Sequence, residues 1–275
     1  MLQKRRFHIL LAIPLLILLV VSCSPKPYSK TNRVYKKQVK EFARLLRDYP
    51  LKDSAGQFFT PEFVGTTNLS MRRPNFVIIH HTAQNTCDQT LRTFTLPRTQ
   101  VSSHYVICRD GKVYHMLNDL LRGHHAGVSK WGNTTDLNST SIGIELDNNG
   151  FEPFPEAQIN SLTELLGRLK RTFSIPSPNF IGHGDIAPTR KNDPNWRFPW
   201  QQLAEQGYGL WWDDTTAVSL PPQYDHLAAL RIIGFDMKDT SAAIRGFKRH
   251  WLQDTTRGMN EAQHKVLYQL SRKYQ

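Results

Sequence analysis

Phe76-Val77-Ile78-Ile79-His80-His81 is the stretch from which the rest of this chain is read. Four consecutive apolar residues fit a strand buried on both faces. Side chains alternate along a strand, so His80 shares a face with Ile78 and Phe76. It also stands where the strand gives way to the loop Thr82-Ala83-Gln84-Asn85, an edge suited to a ligand. His81 points the other way or onto the loop. Ser141-Ile142-Gly143-Ile144-Glu145-Leu146-Asp147 is a second strand, with Ile142, Ile144 and Leu146 on one face and Glu145 on the other. Glu145 is either a solvated strand residue or a carboxylate carried to the place that His80 reaches.

A third stretch, Ile181-Gly182-His183 to Lys191-Asn192-Asp193-Pro194, sets a His and an Asp ten residues apart. Glycines on both sides of His183 permit a turn and close backbone approach. Pro188 and Pro194 stiffen the loop that carries Asp193. Two imidazoles and one carboxylate, His80, His183 and Asp193, make a three-ligand set for a catalytic zinc, which keeps its fourth position open. Asp185, in the same loop, competes with Asp193. Lys191 cannot ligate zinc while charged, but its ammonium suits an oxyanion formed when water adds to an amide carbonyl. Glu145 beside such a site can act as general base. Metal, base and cation are the parts of an amide hydrolase.

Further strands are expected over His104–Cys108 and Lys112–Met116, joined by the turn Arg109-Asp110-Gly111. Pro155–Phe173 carries Ile159, Leu162, Leu165, Leu166 and Leu169 at helical spacing. Strands interleaved with helices argue an α/β domain over 71–214, a mixed central sheet flanked by helices. Pro221-Pro222 marks a boundary. Residues 215–275 read as a small three-helix domain, with helices over Tyr224–Ile233, Thr240–Leu252 and Asn260–Tyr274.

Five blocks occur in order: Phe76–Ala83, Val101-Ser-Ser-His104-Tyr105, His125-Ala-Gly-Val-Ser-Lys-Trp131, Ser141–Leu146 and Gly182–Pro194. Together they resemble the zinc-dependent N-acetylmuramoyl-L-alanine amidases of the type-2 amidase and peptidoglycan recognition protein family, in particular its lipoprotein members. The resemblance implies Zn2+ on His80, His183 and Asp193, with Asp193 preferred to Asp185. It implies Glu145 as base, Lys191 as oxyanion partner, and peptidoglycan or muropeptides as the substrate partner. It makes His125 and Trp131 walls of the substrate groove, although Trp131 is equally well a packed loop anchor. His104 reads as a residue that either supports a metal ligand from behind or positions a strand. Trp196-Arg-Phe-Pro-Trp200 is expected to close the core beside the metal loop. Residues 229–251 are similar to the three-helix peptidoglycan-binding domain, but Met259-Asn260-Glu261 replaces the usual cap before the last helix.

Residues 1–22 form a signal-like segment: Lys4-Arg5-Arg6, an apolar run from Ile9 to Val21, then Ser22-Cys23. The pattern resembles a bacterial lipoprotein signal with Cys23 as the lipidated residue; the alternative is an uncleaved N-terminal anchor. Lipid on Cys23 anchors a protein to a membrane without spanning it. Ser24 follows the Cys, so an outer-membrane lipoprotein facing the periplasm is expected. Residues 23–70 are read as a lipid-anchored tether and a helix. The tether, Ser24 to about Lys40, would reach at most roughly 55–60 Å if extended, and an amphipathic helix would cover Val39–Tyr49. Cys87 and Cys108 are either a disulfide or two small buried thiols.

The 275 residues carry a formal charge of +12, from 35 basic and 23 acidic side chains. An exported basic protein suits an anionic cell envelope. Nucleic acid is excluded as a partner by the signal and by the lack of any nucleic-acid motif. A monomer is expected. Two rival readings remain open: a non-catalytic peptidoglycan sensor and an exported zinc peptidase.

Overall fold

The computed structural model describes residues 26–47, 55–56 and 64–275. Cys23 and the signal-like segment 1–22 lie outside these residues. Two compact units are present, Met1–Leu69 and Ser70–Gln275. In the first, α1 (Ser29–Leu45) is one continuous 17-residue helix. It occupies most of the segment read as an extended tether, and that reading is corrected. The prolines precede the helix. The residues after them include many with straight side chains (Lys, Arg, Gln, Glu) that lose little rotamer freedom in a helix. The helix spans roughly 26 Å, where the same residues extended would reach about twice as far.

The second unit is built on one sheet. Its strands are β1 (Phe76–His81), β2 (Tyr105–Ile107), β3 (Val113–His115), β4 (Ser141–Leu146) and β5 (Phe180–Gly182). Their order is β3-β2-β4-β1-β5. β3 is antiparallel to β2, and the other pairings are parallel. This is the mixed α/β architecture expected from the sequence. Helix α2 (Cys87–Thr95) follows β1, and a disulfide ties Cys87 at its start to Cys108 just after β2, with Cα atoms 5.4 Å apart. The bridge, not a pair of free thiols, is what forms.

Strand alternation sorts the core into two layers. Val77, Ile79, Ile142, Ile144 and Leu146 face one side, where α4 (Glu156–Phe173) covers them with Ile159, Leu162, Leu165, Leu166 and Leu169. A short turn of helix, α3 (Leu137–Thr140), leads into β4. The i, i+3, i+4 spacing on α4 lays these side chains on one stripe, and each contributes about 1.5–3 kcal/mol through burial. The helix stops at Ser174, whose backbone is left-handed, just before Pro176.

Phe76, Ile78 and Ile181 face the other side. There they meet α7 (His226–Ile233), α8 (Thr240–Phe247) and α9 (Glu261–Lys273), after the short helices α5 (His183–Ile186) and α6 (Trp200–Glu205). Phe247 and Trp251 are fully buried in this shared cluster, and α8 runs on into a π-helical turn, Lys248–Leu252. The three C-terminal helices therefore do not stand apart as a mini-domain; they are a layer of the same core. Three helices of this size bury too little among themselves, and the sheet supplies the rest. Asn260 caps α9 by accepting from Gln263 N–H, while the Gln263 side chain accepts from Asn260 N–H. Asn260, one of the residues that replace the usual cap, thus caps the helix itself.

Candidate active site

The alternation that buries Ile142 and Ile144 against α4 sends Glu145 to the opposite face, and His80 leaves β1 on that same face. The register pairs His80 directly with Glu145. Beyond β5 the chain turns into α5, which begins at His183. Asp193 is folded back onto this turn by its own backbone, whose carbonyl accepts from Gly184 N–H at 2.6 Å.

These placements bring three donor atoms into a triangle. His80 Nδ1, His183 Nδ1 and Asp193 Oδ2 are each 3.0 Å from the other two. All three residues are buried, and together they form a group able to hold a metal ion. Tetrahedral bonds of about 2.0–2.1 Å would set such donors roughly 3.3 Å apart, so the triangle is close to the size that zinc requires.

The second ring nitrogens support the same assignment. His183 Nε2 donates to Ala126 O at 3.1 Å, which leaves its Nδ1 lone pair facing the centre. A chain behind His80 does likewise. Ser141 Oγ–H donates to Leu137 O, so that oxygen can accept from His125 Nε2–H at 3.3 Å. His125 Nδ1 then accepts from His80 Nε2–H at 3.1 Å, and His80 Nδ1 is free to ligate. Burial pushes the His80 pKa down to about 4 and that of His125 well below the usual imidazole range, so both are neutral, as ligation and this relay require.

Glu145 lies beside the triangle, with Oε1 3.9 Å from His80 Nδ1. Its Oε2 is buried and has no partner among the described residues. Burial above all, with repulsion from Asp193, raises its pKa to about 8, against an opposing pull from Lys191. A buried carboxylate oxygen without a partner is costly unless a ligand or water satisfies it. Lys191 is exposed in the loop before Asp193, and its charge acts on both His80 and Glu145.

Other sequence readings change. His125 is no groove wall. It is buried beneath His80, and its ring sits where a Cβ at residue 143 would lie only 2.5 Å away, so β4 needs Gly143. Trp131 is also buried, packed edge-on to Phe235 with ring centroids 5.1 Å apart, and serves as a loop anchor to the C-terminal helices. Asp185 is outside the donor triangle. Its Oδ2 accepts from Gly182 N–H at 2.7 Å and pairs with His250 Nδ1 at 2.7 Å. His104 does position strands: its Nδ1 accepts from Gly143 N–H. Phe198 and Trp200 close the core, whereas Trp196 is 40% exposed.

His250 was missed by sequence reasoning. It is stacked between Trp200 and Trp251, at centroid distances of 3.8 and 3.7 Å, and so clamps the turn that carries His183. No local motif marks it, because its partner Asp185 is 65 residues away.

A buried His-His-Asp triangle able to hold a metal ion, with a neighbouring glutamate, thus stands at the carboxyl ends of parallel strands. Residues 70–196 match the N-acetylmuramoyl-L-alanine amidase family. N-acetylmuramoyl-L-alanine amidase AmiD of Escherichia coli strain K12 is 41% identical over 157 residues, covering 51% of this chain and 56% of that protein. The 1,6-anhydro-N-acetylmuramyl-L-alanine amidase AmpD of Haemophilus influenzae is 38% identical over 104 residues, covering 38% of this chain and 56% of that protein. The chain thus spans a little over half the length of these curated relatives. The solved complex of E. coli AmiD with anhydro-N-acetylmuramic acid-L-Ala-D-gamma-Glu-L-Lys is similar at a TM-score of 0.66 and 29% identity, covering 82% of this chain and 99% of that one. AmpDh3 of Pseudomonas aeruginosa gives 0.68 and 28%, covering 79% and 99%.

Proposed function

We propose that this protein hydrolyses the amide between N-acetylmuramic acid and L-alanine in peptidoglycan or its fragments, with zinc on His80, His183 and Asp193. The observation that carries this reading is the donor triangle with both imidazole tautomers fixed, beside a glutamate whose buried oxygen lacks a partner. The relatives support the choice of substrate, since AmiD has been solved with an anhydromuramyl peptide.

When bound, zinc supplies Lewis-acid chemistry to water and to the scissile carbonyl. Glu145 takes one proton from the attacking water as the new C–O bond forms, and returns it to the departing amine of L-alanine as the C–N bond breaks. Burial holds the Glu145 pKa near 8 without metal, and its ionised form would be favoured beside a bound cation. Lys191 offers its ammonium to the developing oxyanion. His125 holds the His80 ring in the ligating tautomer.

The same proposal places the protein in the cell envelope as an outer-membrane lipoprotein, acylated on Cys23 and facing the periplasm. The disulfide between Cys87 and Cys108 fits an oxidising compartment.

Incubation of the zinc-loaded protein with purified muropeptides, with products identified by mass, tests the activity. Free L-alanyl peptide and the matching muramyl sugar are expected, and chelation should stop their release. Glu145→Gln should keep zinc and lose roughly two or more orders of magnitude in turnover, and Lys191→Ala should lower turnover more than affinity. Intact substrate after incubation with fully zinc-loaded protein refutes the proposal.

A further inference from the structure

Beside the metal loop lies a cleft of about 550 Å³. It opens near the carboxyl ends of β4 and β5, where open α/β sheets place their ligands. Among the described residues four cations line it, Arg190, Lys191, Arg245 and Arg249, and no acidic side chain does. Their commitments differ. Arg190 is held by the carbonyls of Ala126 and Val128. Arg249 comes from the C-terminal layer and is packed against Gly184, the residue after His183; a Cβ there would lie 2.2 Å from its Nη2. That Nη2 is buried and donates to no acceptor among the described residues. Its nearest carboxylate oxygen, Asp185 Oδ1, is 4.0 Å away, and the other Asp185 oxygen already serves Gly182 and His250. A guanidinium fixed by packing but short of acceptors suits an anion, because it offers planar, charge-assisted donors. Arg245 is exposed one helical turn away, on the same side of α8 and its π-helical extension.

We propose that Arg249 and Arg245, with Lys191 at the margin, form a carboxylate subsite for the peptide that leaves with L-alanine. The C-terminal helices thereby take part in substrate choice. This rests on the amidase reading above. The chemistry of the ligand follows from the linkage: a glutamate joined through its γ-carboxyl, as in the peptide bound to AmiD, keeps its α-carboxylate free. That free acid is the group the subsite would hold, and an amide in its place could not form the ionic bonds. Trp196 adds a partly exposed ring to the cleft wall beside it.

Two muropeptides that differ only in the glutamate α-group, free acid or amide, test the subsite. The full-length zinc-loaded protein should prefer the acid by roughly tenfold or more in kcat/KM, the scale of one hydrogen bond to a charged group, chiefly through KM. Arg245→Gln should reduce the preference, lowering kcat/KM for the acid more than for the amide. Arg249→Gln should reduce it further, and Arg249→Lys should keep part of it. If Arg249 only braces the metal loop, its loss lowers both substrates equally and the ratio stays fixed, which overturns the proposal. Equal use of acid and amide by the parent overturns it too. Calorimetric titration with the free peptide L-Ala-D-γ-Glu-L-Lys and its α-amide reads the subsite without hydrolysis. Acid-selective binding that Arg249→Gln abolishes would uphold the subsite even if the amidase reading failed; equal binding of the two peptides would refute it even if hydrolysis occurred.

Discussion

Replacing Trp131 with alanine separates two roles that the sequence left side by side. The indole is 5% exposed and packs edge-on to Phe235. It also fills the space over Gly234, where an added Cβ would lie 2.6 Å from the ring. The neighbouring backbone is joined to the same turn, since Gly132 N–H donates to Gly234 O at 2.7 Å. The surrounding main chain therefore cannot collapse freely into the void. Truncation of a buried Trp under these conditions costs about 3–5 kcal/mol, a large part of a typical domain stability of roughly 5–15 kcal/mol. In a unit of this size each kcal/mol moves the midpoint by about 2–4 °C, so Tm should fall by roughly 6–20 °C. Thermal and urea unfolding of the zinc-loaded protein measure this, and KM for muropeptide, taken well below the transition, should barely change. Trp131→Phe should lie between. A Trp131→Ala protein that unfolds with the parent but shows a tenfold higher KM would refute the packing argument and restore Trp131 to the groove.

His125→Phe keeps the ring's bulk but removes the acceptor for His80 Nε2–H, so zinc affinity should drop about 10–100-fold; competition against a chromogenic chelator measures it, and unchanged affinity removes His125 from the relay. In metal-free protein, Glu145 has a folded pKa near 8, above its ordinary 4.5. Its contribution is therefore fully favourable below about pH 4.5 and is lost as pH rises through 8. Urea midpoints across that window should fall for the metal-free parent relative to metal-free Glu145→Gln, and parallel curves would show that Glu145 is not buried as described. Cys23→Ser should release the protein from the outer-membrane fraction while activity on soluble muropeptides persists; continued co-fractionation would rule out a lipid on Cys23 as the anchor.

Much of the site was legible in the sequence because strand geometry is local. Alternation alone placed His80 with Ile78 and set Glu145 opposite Ile144, and the parallel register then put the two on one face. The glycines around His183 and the prolines around Asp193 signalled a constrained loop before its shape was known. The apolar stripe of α4 gave one core layer in the same way. Local pattern failed where the partner was distant. In α1, helix propensity along a polar segment prevailed over two prolines at its start.

Tertiary structure decided the rest. His125 reads as a wall of the substrate groove until Gly143 opens room beneath His80. Asp185 and Asp193 are both carboxylates in one loop; resemblance alone preferred Asp193, and the Gly184–Asp193 backbone bond and the distant His250 are what physically put one in the donor triangle and the other in the clamp. Cys87 and Cys108 needed their Cα separation. The C-terminal helices announced themselves by period, but not the sheet face they cover or the arginines they bring to the cleft. Periodicity states which side of an element is apolar; which surface it meets is settled only when non-local packing excludes water from both.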